Sequence, residues 1–327
     1  PLLKLLGTKE ELIDGATIYL RIYFLGMPAM ALYNFGNAVL SAAGDTRRPL
    51  LYLLIAGILN VALNLFFVIV CGMSADGVAL ASILTQYLSS ILILIALVRT
   101  KDAYGVRPKC IRLHRDKLAP LLTLCCSAGL QNAIFAVANL FIQAGVNRFD
   151  ALMVEGNSAA ANADGLIYDV MAAFHTACAS FIGQNYGAGN RDRVRRTYWI
   201  SLSYSFAAGA VLGLSLVFFG RGFLSLFTDS AEVAAAGMHR LRVMGFSYAI
   251  SAFMDCTIAA SRGLGRCVVP TIIVVLGSCV FRVIWVYTIF ASVGTIASLY
   301  LLYPVSWTLT AGAEMVYFFY LYRKVFR

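Results

Sequence analysis

Residues 181–196 read FIGQNYGAGNRDRVRR, and this stretch decides how the rest of the chain is arranged. An apolar run ends at Phe181, three glycines follow, and four arginines then precede another apolar run. Glycine tolerates the backbone of a tight turn, and arginines beside a span favour the cytoplasmic face, where they meet anionic lipid headgroups. The stretch predicts a corner between two membrane spans. A glycine-rich phosphate loop is the competing interpretation, but no Lys-Ser/Thr follows and no strand precedes.

The composition is typical of a helical membrane protein. Of 327 residues, 60% are hydrophobic and 13% are charged, whereas soluble chains carry about 25% charged residues. The net charge of +10 would suggest nucleic acid binding in a soluble domain, but in a membrane protein it is a topology signal. We therefore expect the lipid bilayer, and no nucleic acid, as a partner. The eight cysteines show no metal-ligand or disulfide pattern, so neither zinc nor a disulfide is expected.

Nine membrane spans are predicted, because the apolar blocks have the length that a helix needs to cross a bilayer. The connections alternate in charge: one set holds 18 of the 26 Lys and Arg residues, and the other holds two. The positive-inside rule places the basic set, and with it the C-terminus, in the cytoplasm. The predicted spans are residues 18–40, 50–70, 78–98, 118–147, 159–183, 199–219, 243–260, 268–290 and 296–322.

An internal repeat is visible at an offset of 221 residues. The shift superposes Arg21 on Arg242 and Gly44 on Gly265, among other identities, and apolar character agrees between them. A constant offset without a gap over about 50 residues is hard to obtain by chance. The second copy starts near residue 118, so the first copy lacks about three spans. We expect a fragment of a protein with twelve spans in two bundles, an architecture that secondary transporters use.

The predicted fold class is therefore an all-α polytopic membrane protein with about nine of the twelve transmembrane helices of a two-bundle, pseudo-two-fold repeat. Residues 1–98 are predicted to form the last three helices of the N-lobe. Residues 99–117 are predicted to be a basic cytoplasmic linker, and residues 118–327 a complete six-helix C-lobe.

Several motifs resemble those of one transporter family. The GQNYGAG run, with Gly183, Gln184, Asn185, Gly187 and Gly189, resembles the G-Q-N-x-G-A-G signature of multidrug and toxic compound extrusion (MATE) transporters. The runs YNFGNAVLSAAGDTRRP (33–49), RGLGR (262–266) and FRVIW (281–285) look like the same family, nearest its DinF-like bacterial branch. The beginning departs from the family's pattern: we expect its first three helices, with the acidic residue that they carry in many members, to lie outside this sequence, so that no site there can be assigned.

The resemblance implies a secondary active efflux antiporter rather than an enzyme. Such a protein exchanges Na+ or H+ for organic, often cationic, compounds. It implies a multi-pass protein of the bacterial inner membrane, acting as a monomer, with no cofactor beyond the coupling ion.

A polar stripe in the fifth span is the first candidate site. Asp164, Tyr168, Met171 and His175 recur at helical spacing and share one face. The carboxylate, phenol and imidazole could bind a cation or carry a proton, and by resemblance Asp164 takes a position that is commonly acidic in the family. The alternatives are a carboxylate satisfied by a neighbouring helix and a core histidine.

A second candidate stripe lies in the fourth span. Gln131, Asn139, Gln143 and Asn147 follow one another at multiples of four residues. Such a stripe can line a wet cavity, or it can join helices through amide hydrogen bonds. Both interpretations stay open.

The seventh span carries the third candidate, Asp255, which resembles an acidic residue of the family's C-lobe. It is a possible Na+ site, as is Asp164. Arg262 follows on the same face, so an Asp255–Arg262 ion pair is the structural alternative, with Arg282 as a rival partner.

Other function classes are weighed against efflux. A lipid-linked oligosaccharide flippase of the same superfamily would be expected to line its cavity with arginines, whereas buried acids are expected to dominate here. No catalytic constellation at workable spacing favours an intramembrane enzyme. A non-transporting scaffold or receptor predicts that Asp164 and Asp255 tolerate replacement.

Overall fold

The structure is a computed structural model that describes residues 10–112 and 114–326. These residues form nine long helices and no strand in the part described. The sequence predicts a short amphipathic segment at the membrane surface over residues 1–15, and most of it lies outside the described residues. The helices are α1 (Glu10–Ala42), α2 (Arg47–Val70), α3 (Ala75–Arg99), α4 (Arg115–Val146), α5 (Ala151–Gly187), α6 (Arg191–Leu224), α7 (Ala231–Gly263), α8 (Val268–Val293) and α9 (Ile296–Tyr300 continued by Leu302–Val325).

Eight of these nine helices, α1 to α8, are long and apolar enough to cross a membrane. The all-α, multi-pass prediction is therefore confirmed. The ninth, α9, has the length of a span but is less apolar. Its buried face includes Ser306, Thr310 and Glu314.

The chain divides into two compact units, Pro1–Leu113 and His114–Arg327. In the first unit, α3 packs against both α1 and α2. Tyr33 of α1 donates a hydrogen bond to the carbonyl of Pro49 at 2.8 Å, and Asn60 of α2 donates to Thr85 of α3 at 3.2 Å. These two hydrogen bonds join the three helices to one another, and the outer surface of the unit is apolar.

The predicted repeat of 221 residues reappears in the helix bounds. One helix ends at Ala42 and its counterpart ends at Gly263, and the next begin at Arg47 and Val268. The last pair begin at Ala75 and Ile296, again 221 residues apart. Gly44 and Gly265 both adopt positive φ, of 90° and 75°, in the turns that follow the equivalent helices α1 and α7. The two copies thus share helix bounds as well as residues, which confirms the repeat.

Helix α7 is the central helix of the second unit. It packs against α5, α6, α8 and α9. In its most apolar 18-residue stretch 67% of the residues are buried, against 22–28% in the corresponding stretches of α5, α6 and α8. Most of the side chains in this stretch are therefore shielded from lipid. Polar residues on α7 must consequently find partners within the protein.

Glycines let α6 and α7 approach each other closely. A Cβ atom built on Gly245 of α7 would lie 2.6 Å from the carbonyl oxygen of Gly213 on α6, and one on Gly213 would overlap the carbonyl of Gly245. Small residues at helix interfaces permit such backbone contact in membranes. A similar contact joins Gly156 of α5 to Gly237 of α7.

The Gly213→Ala variant is expected to lower the thermal stability of the full-length protein. Because the new methyl group would overlap backbone, the cost should be about 1–3 kcal/mol. Gly222→Ala on the same helix is the control, since nothing lies within 4 Å of its added Cβ. Melting temperatures of the two purified variants check this, and equal melting would refute the close contact.

Candidate functional site

The second unit contains an open cavity of about 620 Å³ between α4, α5, α7, α8 and α9. Its wall combines aromatic rings, side-chain amides and four charged groups. Charged groups persist at membrane depth where they have a partner or line a polar cavity. The charged groups are Asp164, Asp255, Arg240 and Arg282.

Asp164 is held by Arg240 of α7. Its Oδ2 atom accepts bonds from Arg240 Nε at 2.7 Å and Nη2 at 2.5 Å, and Oδ1 accepts a bond from the hydroxyl of Tyr248. Arg240 also donates from Nη1 to Asn157 at 2.8 Å, whose side-chain oxygen accepts from Tyr300 at 3.1 Å. This network satisfies the carboxylate, so the structural alternative for Asp164 is the one that the geometry favours.

Asp255 is the second carboxylate of the cavity wall, and it is differently placed. Among the residues that the structure describes, it makes no salt bridge within 4 Å. The Asp255–Arg262 ion pair considered from the spacing is not formed, because Arg262 donates instead to Gln131 at 2.9 Å. Arg282 interacts electrostatically with Asp255 without pairing. Asp255 is thus a carboxylate that faces the cavity without an ion-pair partner.

Arg282 of α8 is buried among aromatic rings. Its guanidinium carbon lies 4.7 Å from the ring centre of Tyr303, 5.5 Å from Phe135 and 6.0 Å from Trp307, and Nε donates to Ser306 at 3.3 Å. Rings stabilise a cation through their negative faces. In the described part of the chain, Arg282 has no carboxylate within salt-bridge distance. The cavity therefore holds one cation that is not neutralised by an ion pair.

Most residues of the predicted polar stripes line the cavity, but not all of them do. Gln131, Asn139, Gln143 and Tyr168 line the cavity together with Asp164 and Asp255. His175 is not part of the wall, because it is buried against α6 with Ser205 at 3.3 Å.

The family-motif residues lie away from the cavity. Gly183, Gln184, Asn185 and Gly187 form the last turn of α5, and Gly189 adopts a φ of 72° in the turn before α6. Gly183 follows the cavity-lining Met171 by 12 residues, about 18 Å along a helix. Their role in the described structure is to close the α5–α6 corner.

Sequence reasoning missed the role of two arginines. Arg240 precedes the predicted span at 243–260, but α7 begins at Ala231 and carries it into the bundle. Arg282 was considered only as a partner for Asp255. The expectation that buried acids dominate is wrong for this cavity, whose wall has two arginines and two aspartates. An arginine inside or just before an apolar run is the signal that could have found both.

Helices long and apolar enough to span a membrane, packed around a charged cavity, are an arrangement found in multi-pass secondary transporters. The chain belongs to the MatE family, whose model matches residues 1–66 and 128–288. The resemblance of the motifs is thus confirmed.

Curated relatives place the chain beside bacterial transport proteins. It is 30% identical over 247 residues to the probable multidrug resistance protein YpnP of Bacillus subtilis, covering 76% of this chain and 55% of the relative. It is 27% identical to the FAD transporter of Shewanella oneidensis, covering 71% of this chain and 52% of that one. The chain thus spans about half the length of these relatives.

Solved structures share the fold. An outward-facing multidrug resistance MATE family transporter of the MOP superfamily superposes with a TM-score of 0.92 at 20% identity, over 100% of this chain and 73% of the other. A MOP superfamily transporter from Pyrococcus furiosus, described by a reverse polarity of its binding pocket, gives a TM-score of 0.92 at 21% identity, over 100% and 74%.

Proposed function

We propose that the full-length protein exports amphipathic organic compounds, often cationic ones, in exchange for Na+ or H+, and that the cavity of the second unit takes part in substrate binding. The observation that carries this proposal is Asp255, a carboxylate that faces the cavity without an ion-pair partner. Aromatic rings and amides on the same wall suit a flat organic molecule with a few polar groups. The names of the bacterial relatives support the substrate class.

Coupling follows from competition for one carboxylate. When Asp255 is empty and negative, it attracts either the substrate cation or the coupling ion, and binding of one weakens binding of the other. A ligand shifts a conformational equilibrium only by its different affinity for the two states. Inward and outward access then alternate as the bundles move about the site. Asp164, already neutralised by Arg240, contributes to the shape of the site rather than to ion binding.

The test uses the full-length protein in cells that lack their own efflux pumps. Accumulation of a fluorescent organic cation is followed while the Na+ and H+ gradients are collapsed in turn. We expect the wild type to lower accumulation only while one gradient stands, and Asp255→Asn to remove this effect at equal membrane expression. Export that persists in Asp255→Asn would exclude this carboxylate as the coupling site. Accumulation that never changes would favour the lipid-linked oligosaccharide flippase or a non-transporting scaffold.

A second candidate substrate class is an aromatic anion. Arg282 gives the cavity a buried positive charge without an ion-pair partner, beside three rings that can stack on an aromatic ligand. A relative named as an FAD transporter and a structural neighbour noted for reversed pocket polarity support this alternative.

The remaining assignments are parts of the same proposal. The protein resides in the bacterial inner membrane as a monomer, with its C-terminus in the cytoplasm and no cofactor. The basic residues of the last turn of α9, Arg323 and Lys324, support that orientation.

A further inference from the structure

Glu314 of α9 is a buried carboxyl group outside the cavity. It is 0% exposed, and neither Oε1 nor Oε2 has a hydrogen-bond partner among residues 10–112 and 114–326. Glu314 is also absent from the cavity wall. Burying an ionised carboxylate without partners costs far more than burying a neutral one. A carboxyl group in these surroundings therefore calls for an explanation in terms of its charge state.

Arg262 is the charged group that interacts with Glu314. The two side chains interact electrostatically, but their charged atoms are not within the 4 Å of a salt bridge in the described structure. Arg262 donates from Nη2 to the side-chain oxygen of Gln131 at 2.9 Å, while its buried Nε atom has no hydrogen-bond partner in the part of the chain that the structure describes. Arg262 thus lies between a residue of the cavity wall and a buried carboxyl group, and its hydrogen-bonding capacity is only partly used.

Other ionisable groups interact with Glu314 or Arg262 as well. Asp255 of α7 interacts electrostatically with both Arg262 and Arg282, and Tyr168 of α5 interacts with Arg262. Tyr317 interacts with Glu314 from the same helix. Arg266 interacts with Tyr317 rather than with Glu314. Two thiols are also nearby: Cys267 immediately precedes α8, and Cys279 lies within it.

A proton is the ligand that fits Glu314 best. A metal cation would need several oxygen ligands, and the neighbouring Arg262 would repel it. A proton needs no cage, and it removes the charge that burial disfavours. Loss of that proton would leave a buried anion. A hydrogen bond donated by Arg262 would then stabilise the ionised carboxylate.

We propose that Glu314 is a proton-binding site separate from the cavity, and that its deprotonation draws Arg262 from Gln131 toward the carboxylate. Arg262 then has two alternative partners. When Glu314 is protonated, Arg262 donates to Gln131. When Glu314 is ionised, Arg262 releases Gln131, which is a residue of the cavity wall. Protonation at Glu314 is thereby linked to the shape of the cavity. Only the transport consequence of this link depends on the proposed export function.

Infrared difference spectroscopy of the full-length protein in lipid nanodiscs tests the proton site without any transport. As the pH is raised, the wild type should lose one carbonyl-stretch band of a protonated carboxyl group. Glu314→Gln should lack this band, whereas Glu155→Gln, at an exposed carboxyl of α5, should keep it. A Glu314→Gln spectrum equal to that of the wild type overturns the proposal.

A second variant tests the role of Arg262 and leaves Glu314 in place. Arg262→Met removes the cation that relieves the ionised carboxylate, so the band should persist to higher pH than in the wild type. An unchanged transition would overturn the exchange of partners. These results separate the two proposals: a band at Glu314 in a protein that exports nothing would leave the proton site standing and refute export. Export without the band would do the reverse.

Discussion

Replacement of Arg240 by methionine is expected to lower the free energy of unfolding by about 3–5 kcal/mol, the cost of removing one partner of a buried ion pair. The side chains of Arg240 and Asp164 are only 10% and 16% exposed, so solvent screens their interaction weakly. The variant would leave Asp164 with the Tyr248 hydroxyl and no positive charge. The Asn157 side chain would also lose its bond from Arg240.

Denaturant unfolding of the full-length protein in mixed micelles measures this cost. Arg242→Met is the matched control, because Arg242 is an exposed arginine two residues along the same helix. The double variant Arg240→Met with Asp164→Asn should recover part of the loss, since it removes the unpaired charge. With Asp164→Asn measured alone as well, the change in the double variant minus the sum of the changes in the two single variants gives the coupling energy between the two side chains. If Arg240→Met and Arg242→Met unfold alike, the pair contributes nothing to stability.

The helices and their repeat could be predicted because they depend on local composition. A span needs about 20 apolar residues whatever surrounds it, and the offset of 221 residues reappears in the bounds at Arg47 and Val268. The predicted span 243–260 was shorter than α7, which begins at Ala231. Polar residues such as Arg240 can continue a helix inside a bundle, because partners within the protein satisfy them there.

The candidate site was harder to predict, because partners from distant helices decide which charges are free. Asp164 and Asp255 look alike in the sequence, yet of the two only Asp164 forms an ion pair with an arginine in the described structure, and that arginine is 76 residues away in the chain. Helical spacing predicts that Arg262 shares a helix face with Asp255, but Arg262 donates a hydrogen bond to Gln131 of α4 instead. The sequence already shows Glu314 as a carboxylate within the predicted span 296–322. Only the packing shows that its carboxyl oxygens have no hydrogen-bond partner in the described structure.

Substitution of Arg282 by glutamine is expected to change which compounds the protein carries. Arg282 lines the cavity among three rings and has no ion pair in the described structure, so its removal leaves Asp255 to set the polarity of the wall. Export of an aromatic dianion should fall by about tenfold or more, because a charge-assisted hydrogen bond contributes roughly 1.5–3 kcal/mol. Export of an organic cation should hold or rise, since one repulsive charge is gone. Uptake of both compounds into inverted vesicles that contain the full-length protein measures the two rates side by side.

The Asp255→Asn variant supplies the opposite change at the same cavity, and the ratio of anion to cation transport should move the other way. A lysine at position 282 is the closest control, because it keeps the positive charge but lacks the planar guanidinium that stacks on rings. Arg282→Lys should retain more anion export than Arg282→Gln. If the ratio is the same in Arg282→Gln, Asp255→Asn and the wild type, charge at this cavity does not select the substrate, and the second unit would have to act through shape alone.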